Sequence, residues 1–216
     1  EGGQLEANGV LTLLRPRGFN GAPSPSPGVI ANFDIDGTLE PESLLSIWPK
    51  QIATGARDWV ADRLETATID NIDFSMNLLP GAIGEDGGLP DEALSLTFDA
   101  RDVRAYYVKQ MTPLRAGSGS GVLRGNSFLL TVNSARVGKV AISKGEVSFP
   151  VFMPKWEPTY YRFTATAGAQ DMLAILDEAP MSLLSKVNLQ ADQFSGEARA
   201  EIEIMRPNKR DVAPQE

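Results

Sequence analysis

The chain has 216 residues with a formal net charge of −8, and 42% of its residues are hydrophobic. That length and apolar content suffice for a real core, while the acidic balance argues against nucleic acid and against adsorption onto an anionic membrane surface. The absence of cysteine and histidine excludes disulfides and Cys-ligated zinc and removes the commonest general base. The sequence has no run of 18 apolar residues and no charged-then-apolar leader, so we expect neither a membrane span nor a signal peptide.

The first two predicted strands flank a proline-rich loop. Gln4 to Leu14 reads as a strand with a turn or bulge at Asn8-Gly9, and because the sequence opens in mid-strand we expect it to be part of a longer protein. Arg15 to Pro27 contains four prolines and predicts a loop over residues 15–27. Val29 to Leu39 then alternates between apolar and polar residues, which is typical of a half-buried strand.

A helix pair and a long strand follow. Leu44 to Ile47 predict a short apolar helix that Trp48-Pro49 ends. In the next helix, for which Thr54 is a candidate N-cap, one stripe is expected to pack on the sheet, and it contains Ala56, Trp59, Val60 and Leu64. From Ile69 to Leu78 the strand alternates almost perfectly, with Ile72, Phe74, Met76 and Leu78 on one face and polar residues on the other.

Further strands follow at close spacing. Leu94 to Ala100 and Val103 to Tyr107 alternate in opposite phases, which predicts a bulge near Arg101 to Val103. From Leu114 onward we predict a meander of hairpins, with turns at Gly125-Asn126, Asn133-Ser134 and Lys144-Gly145. The predicted elements after the meander are a strand from Thr159 to Thr166, helices from Ala169 to Glu178 and from Met181 to Val187, and a strand from Phe194 to Met205.

Two segments share one order of elements and form a weak internal repeat. Residues 28–79 and 159–205 each give an alternating strand, a short apolar helix, a proline, a second helix and another strand. At least seven strands present an apolar face, whereas about four short helical pieces are available to cover it. Because most connections are too short for a parallel crossover, we predict a mainly β fold over residues 1–216: a curved, groove-like antiparallel sheet with short helices capping its apolar concave face.

The helix pair contains a pattern that resembles a known family. The pattern is Leu-Leu, Trp-Pro, a short spacer and a helix with Arg-x-Trp, here Leu44, Leu45, Trp48, Pro49, Arg57 and Trp59. It resembles the AsmA-like family of bacterial envelope proteins, in particular the large YhdP-type and TamB-type members. The resemblance extends more loosely over the rest of the chain, including the segment from Gly168 to Ile204. It implies a segment of a long β-groove made of repeated units.

The resemblance also implies a function. The groove of such proteins is taken to carry phospholipid acyl chains between the inner and outer membranes, while headgroups stay in water. We therefore expect a periplasmic segment of a protein anchored in the inner membrane by a part absent from this sequence. The expected partners are phospholipid and neighbouring β-groove segments of the same protein, and we expect neither covalent chemistry nor a cofactor. The residues expected to line the groove are Phe74, Met76, Leu78, Leu94, Leu96, Phe98, Phe128, Leu130, Phe149 and Phe163.

Two other functions stay open. A structural β-module that scaffolds envelope proteins would have the same strands around a closed, dry core. Phe33 to Leu39 also matches the Asp-x-Asp-Gly-Thr motif of haloacid-dehalogenase-type phosphatases, in which Asp34 would attack phosphorus, Asp36 would act as acid and base, and magnesium would bridge carboxylate and phosphate. Alternation from Asn32 through the motif to Glu40 instead favours an antiparallel strand with solvent-facing carboxylates over the parallel sheet of that enzyme class.

Three smaller motifs favour structural roles. The GSGSG sequence at residues 117–121 lacks the Lys-Ser/Thr ending and the following helix of a phosphate-binding loop, so we interpret it as a flexible approach to a hairpin. Glu85-Asp86 and Asp91-Glu92 lack the alternating oxygen ligands of a calcium loop. Tyr106-Tyr107 and Tyr160-Tyr161 have acidic surroundings, which favours packing on strands over stacking on bases.

Overall fold

The computed structural model describes residues 6–14, 28–36, 39–48, 50, 54–82 and 89–208. Within these ranges nine antiparallel strands form one curved, unclosed sheet in simple sequence order. The strands are β1 (Glu6–Leu14), β2 (Gly28–Asp36), β3 (Leu64–Leu78), β4 (Leu94–Ala105), β5 (Leu114–Arg124), β6 (Ser127–Val137), β7 (Val140–Phe149), β8 (Pro158–Gly168) and β9 (Glu197–Pro207). Three short helices in the same ranges are α1 (Pro41–Ile47), α2 (Thr54–Arg63) and α3 (Ala169–Leu176). The predicted mainly β, antiparallel fold is confirmed, and the proline-rich loop at 15–27 lies outside the described residues.

One face of the sheet is apolar across its width. Directly paired residues on neighbouring antiparallel strands project from the same face, so the register traces each face from strand to strand. Phe33, Phe74, Leu96, Leu123, Phe128 and Phe149 form one such series of partners from β2 to β7. We call this series the aromatic row and the face that bears it the apolar face. On β2 and β3 the opposite, polar face bears Asn32, Asp34, Asp73 and Ser75.

Bulges interrupt the ladder near the middle of the sheet. The register shifts on β3, β4, β5 and β7 coincide with residues at positive φ, namely Asn71, Asp102, Ala116 and Lys144. The bulge predicted near Arg101 to Val103 is therefore confirmed. Each bulge adds one residue to a strand and increases its local bend and twist, so this series contributes to the curvature of the sheet.

Three of the predicted breaks in strands are wrong. The ladder between β1 and β2 runs without a register shift from Glu6 to Leu14, so Asn8-Gly9 is neither a turn nor a bulge. Asn133-Ser134 lies within β6, and Lys144-Gly145 lies within β7. The last two pairs occupy bulges instead of turns. A bulge needs the same left-handed or irregular backbone that a turn does, so both favour the same residue types. The turn at Gly125-Asn126 is confirmed by its position between β5 and β6.

The helix α1 packs on the apolar face, whereas α2 does not behave as predicted. Leu44 of α1 packs against the buried cluster of Leu39, Ala67, Ile69 and Ile72. On α2, Ala56 is exposed and Trp59 is 47% exposed, so this half of the predicted stripe does not pack on the sheet. Val60 is half-buried, and Leu64 packs against the same buried cluster as Leu44. The helix ends at Arg63, and Leu64 already belongs to β3.

The residues of the Trp-Pro pattern instead join the two helices. Arg57 on α2 donates from Nε to the carbonyl oxygen of Trp48 at 3.2 Å and from Nη2 to that of Leu45 at 3.1 Å. The last carbonyls of a helix lack partners within the helix, and a cation near them also interacts favourably with the helix dipole. Arg57 therefore caps the carboxyl end of α1, which gives this part of the pattern a structural role.

The helix α3 packs on the apolar face at the same end of the sheet as α1, near the edge formed by β8 and β9. Met172 is buried against Val140, Ala165 and Ala167. The connections from β2 to β3 and from β8 to β9 lie at one end, because every second connection of an antiparallel meander returns to that end. The helix predicted from Met181 to Val187 is absent: Ser182 has φ of +47°, and only a 3₁₀ turn at Ser185–Val187 forms.

Candidate functional site

All ten residues predicted to line a groove lie on the apolar face. Phe74, Leu96, Phe128 and Phe149 belong to the aromatic row itself. Met76, Leu78, Leu94 and Phe98 share its phase on β3 and β4, while Leu130 pairs with Gly121 and with Val147. Phe163 lies between Tyr161, the partner of Val147, and Ala165, the partner of Ile142. The ten residues thus share one face of the sheet, as their alternation predicted, while their role in binding a lipid stays a prediction.

The register adds residues to this face that were not singled out from the sequence. They include Leu123, Val132, Val147, Tyr161, Ile202 and Ile204. Val132, Val147 and Ile202 alternate with polar neighbours in the sequence, whereas Leu123, Tyr161 and Ile204 each have an apolar or aromatic neighbour. What was missing was the strand pairing, which decides the phase on the far side of each bulge.

The apolar face is covered at its two ends within the described part of the chain. At the helical end, Leu44 and Met172 pack on the two buried clusters. At the other end, the ring of Phe152 lies 5.7 Å from that of Phe149. Between these covers, Leu96, Phe98, Leu130 and Phe163 are only partly buried. The middle of the face is therefore an apolar surface without a second layer from the described residues.

Aromatic rings concentrate at the end opposite the helices. Phe149 is the centre of the group: its ring centroid lies 6.3 Å from those of both Phe128 and Tyr161. Phe33 and Phe74 form a further pair at 6.1 Å. Tilted and edge-on arrangements at these separations are favourable for aromatic rings. This end of the face is therefore a well-defined aromatic surface.

A loop at residues 150–157 holds Phe152 in place. The side-chain oxygen of Asn126 accepts from the N–H of Met153 at 2.9 Å, and its amide nitrogen donates to the Met153 carbonyl at 2.5 Å. Asn208 donates from its side chain to the carbonyl of Phe152 at 3.1 Å. These amide contacts fix the backbone of the loop at the aromatic end of the apolar face.

Glycines lie beneath two of the phenylalanine rings. Gly121 on β5 is directly opposite Phe98, whose ring occupies the space that a Cβ at position 121 would take. A Cβ at Gly145 would lie 2.7 Å from Cδ1 of Phe163 and 2.9 Å from Cβ of Val132. The prediction that GSGSG is a flexible approach to a hairpin is wrong, because residues 117–121 lie inside β5. Gly117 and Gly121 make room for the side chains of Val103 and Phe98 on β4, whereas Gly119 lies against the backbone of Thr131 on β6.

The polar face has compensated charges. Arg162 contacts Glu203 at 3.0 Å and Glu146 at 3.2 Å, and its guanidinium lies 5.0 Å from the centre of the Tyr160 ring. The hydrogen bond and charge of Glu203 raise the pKa of Arg162 above its ordinary value. Arg101 forms a similar cross-strand pair with Asp70. A depression of about 640 Å³ adjoins Arg162, and its lining combines charged side chains such as Glu146 and Glu203 with apolar ones such as Val132 and Phe163.

Few charges share the phase of the apolar face. Arg206 pairs with Thr159 at the end of β9, in the phase of Ile202 and Ile204. From Ala198 to Ile204 on that strand, the residues of this phase are all apolar. The hydroxyl of Thr159, which is 1% exposed, donates to the carbonyl of Arg206 at 2.8 Å. The interior of the face thus offers a ligand no charged side chain along β9.

The two aspartates of the phosphatase motif lie on an antiparallel strand. Asp34 is exposed on β2, which pairs antiparallel with β1 and with β3. Asp36 is the last residue of that strand, while Gly37 and Thr38 lie outside the described residues, as do Glu85 and Asp86. Asp91 and Glu92 are exposed in a 3₁₀ turn. Across the described ranges, Asp and Glu side chains form no cluster of three or more that is suited to a metal ion.

The helices are also too short to cross a bilayer. Among the residues that the structure describes, no helix has both the length and the apolar composition for a membrane span.

Comparisons with protein-family models, curated proteins and solved structures found no match. The AsmA-like assignment therefore stays a hypothesis from the sequence.

Proposed function

We propose that this chain is a periplasmic segment of an AsmA-like envelope protein, in which the apolar face shields phospholipid acyl chains during transport between the inner and outer membranes. The observation that supports this proposal is that the apolar face is wider than the area that the described helices cover. The face extends across the nine-stranded sheet, yet α1 and α3 pack at one end. An apolar surface of this extent without a second layer is typical of a surface that receives a partner or ligand.

The chemistry of the face favours an acyl chain as that ligand. Phe98, Leu130, Val147 and Phe163 present carbon surface with no charged group among them. Burial of apolar surface contributes about 25 cal/mol per Å², or ~0.8 kcal/mol for each methylene group of a lipid tail. The many methylene groups of a lipid tail contribute together, so association needs no specific polar contact once their sum exceeds the entropy cost of binding.

The same composition favours movement along the face. Hydrophobic association is non-directional and depends on the area removed from water. An acyl chain that shifts along the apolar rows therefore keeps most of its stabilisation at each position. Headgroups stay in water at the rim, and no residue is required to act chemically on the lipid.

The edges of the sheet support the expected partners. Among the described residues, the strands β1 and β9 each pair on one side only, and such edges present free N–H and C=O groups to another strand. Leu13 on β1 is 68% exposed and Ile204 on β9 is 49% exposed, and both share the phase of the apolar face. We propose that neighbouring β-groove segments of the same full-length protein pair here and extend the face.

The direct test is lipid extraction. The chain is purified after expression in the envelope of a bacterium, extracted with organic solvent, and the extract is analysed by mass spectrometry against a denatured and rewashed sample. Near-stoichiometric phospholipid is the expected result. A folded chain that contains no lipid and takes up none from micelles would refute the proposal and favour a structural β-module.

A further inference from the structure

We infer that Gly121 and Gly145 keep the apolar face low by seating the rings of Phe98 and Phe163, and that the space left above these rings is where an acyl chain lies. The inference rests on the proposed function and names the residues on which lipid binding depends. Both glycines lie in strand interiors and have backbone conformations open to other residues, since neither is among the residues at positive φ. Backbone geometry therefore does not explain glycine at these positions, whereas the adjacent rings do.

Gly121 and Gly145 lie on the two strands that flank β6, namely β5 and β7. Phe98 on β4 leans over Gly121 on β5, and Phe163 on β8 leans over Gly145 on β7. Both rings therefore lie toward β6, where Val132 is the direct partner of Gly145. A ring that lies across the neighbouring strand adds less height than a ring that projects away from the sheet. The result is a low apolar surface between β4 and β8.

A methyl group at either glycine would raise the ring above it. A Cβ at Gly121 overlaps the outer atoms of the Phe98 ring, so that ring has to move. Since the sheet backbone lies beneath, the open direction for the ring is outward from the apolar face. The displaced ring then occupies the space in which an acyl chain would lie. Gly119 is a different case, because a Cβ there would overlap the backbone of Thr131 and disturb the pairing of β5 with β6.

The experiment titrates the purified chain with a fluorescent straight-chain fatty acid and compares wild type with Gly121→Ala and Gly145→Ala. We expect each variant to bind roughly tenfold more weakly, because the displaced ring removes methylene contacts between the acyl chain and the face. Ser120→Ala is the matched control, because Ser120 precedes Gly121 and lies on the polar face opposite Asp99. This control should bind as the wild type does.

Rescue separates ring displacement from loss of the fold. In the double variant Gly121→Ala with Phe98→Leu, the smaller side chain leaves room for the new methyl group, so binding should recover toward the wild-type value. Circular dichroism and thermal unfolding of every variant check that the sheet is retained. If wild type binds and both alanine variants bind equally well, the inference is overturned while the proposed function stands. If wild type binds no fatty acid and contains no lipid, both are overturned.

Discussion

Two adjacent leucines on β6 provide a strict test of which face binds lipid. Leu130 lies on the apolar face between Gly121 and Val147, whereas Leu129 lies on the polar face and is 39% exposed. The substitutions Leu130→Glu and Leu129→Glu therefore introduce the same charge at neighbouring positions of one strand. They differ only in the face that receives the carboxylate, because successive side chains of a strand point to opposite sides.

The expected difference follows from burial. Fully burying a leucine side chain is worth about 1.5–3 kcal/mol, and a charge beneath a lipid tail adds an unfavourable desolvation cost. Since Leu130 is partly buried in the free chain, we take about 2 kcal/mol as the loss of lipid affinity in Leu130→Glu. That corresponds to a roughly thirtyfold weaker binding. Leu129→Glu should leave lipid affinity unchanged, because it exchanges one exposed side chain for another.

The assay measures both lipid and fold. Each variant is titrated with a fluorescent phospholipid, and its unfolding by urea is followed by circular dichroism. Phe98→Glu should also abolish lipid retention, but Phe98 packs against the buried cluster around Ile72, so Leu130 separates binding from stability more cleanly. Equal affinity of the two glutamate variants, with both sheets intact, would refute the assignment of the apolar face.

Two further predictions concern the helical end of the sheet. Arg57→Ala removes two hydrogen bonds from the end of α1 and should lower the free energy of unfolding by about 1–2 kcal/mol in urea titration; no change would show that this cap is dispensable. The N–H and hydroxyl of Ser185 hold the pKa of Asp177 below its ordinary value, so Asp177 stabilises the fold above about pH 4 and this contribution is lost as pH falls through the lowered pKa. Asp177→Asn should therefore be less stable than wild type at pH 6 and should approach it at acidic pH, and a difference independent of pH would contradict this assignment.

The strands were predictable because their alternation is strong. In β3 the apolar residues from Ile72 to Leu78 recur at every second position, and the structure places them on one face. The bulge near Asp102 was also predictable, since the apolar phase changes there and the pairing must absorb an extra residue. Such signals are local, and the sheet preserves them because each strand pairs with its neighbour in sequence.

The sequence alone could not show that β6 and β7 continue through Asn133 and Lys144, because turns and bulges favour the same residue types. Asn133 and Lys144 have the composition of turn positions, yet the strands continue through them. The sequence gives no measure of whether a left-handed residue reverses the chain or only bends it. The turn that does connect β6 and β7 consists of Gly138 and Lys139 alone. It is flanked by Val137 and Val140, which pair directly with each other.

The helix α2 shows where periodicity misled. Trp59 and Val60 fit a helical stripe, and Leu64 extended it, but Leu64 belongs to the next strand. The inward-facing contact of α2 is instead the guanidinium of Arg57 at the end of α1. The periodicity of apolar residues does not report a charged side chain that donates to backbone carbonyls. The contact between α2 and α1 could therefore be found only from the structure.

The candidate site was predictable as a face but not as a surface shape. Alternation predicted that all ten residues, from Phe74 to Phe163, share one face of the sheet. The sequence pattern instead predicted a flexible segment at Gly121 and a turn at Gly145. Glycines at 117, 119 and 121 share one strand phase, which is a signal for close approach by neighbouring side chains. The identity of those neighbours, Val103 and Phe98 among them, depends on strand register.

The most direct test of the central proposal is the amount of phospholipid that copurifies with the folded chain. Organic extracts of the chain purified from a bacterial envelope are quantified by mass spectrometry, alongside Leu130→Glu and Leu129→Glu. The proposal predicts near-stoichiometric phospholipid in wild type and in Leu129→Glu, and a strong loss in Leu130→Glu. A folded wild-type chain without phospholipid, or equal lipid in all three proteins, would contradict it.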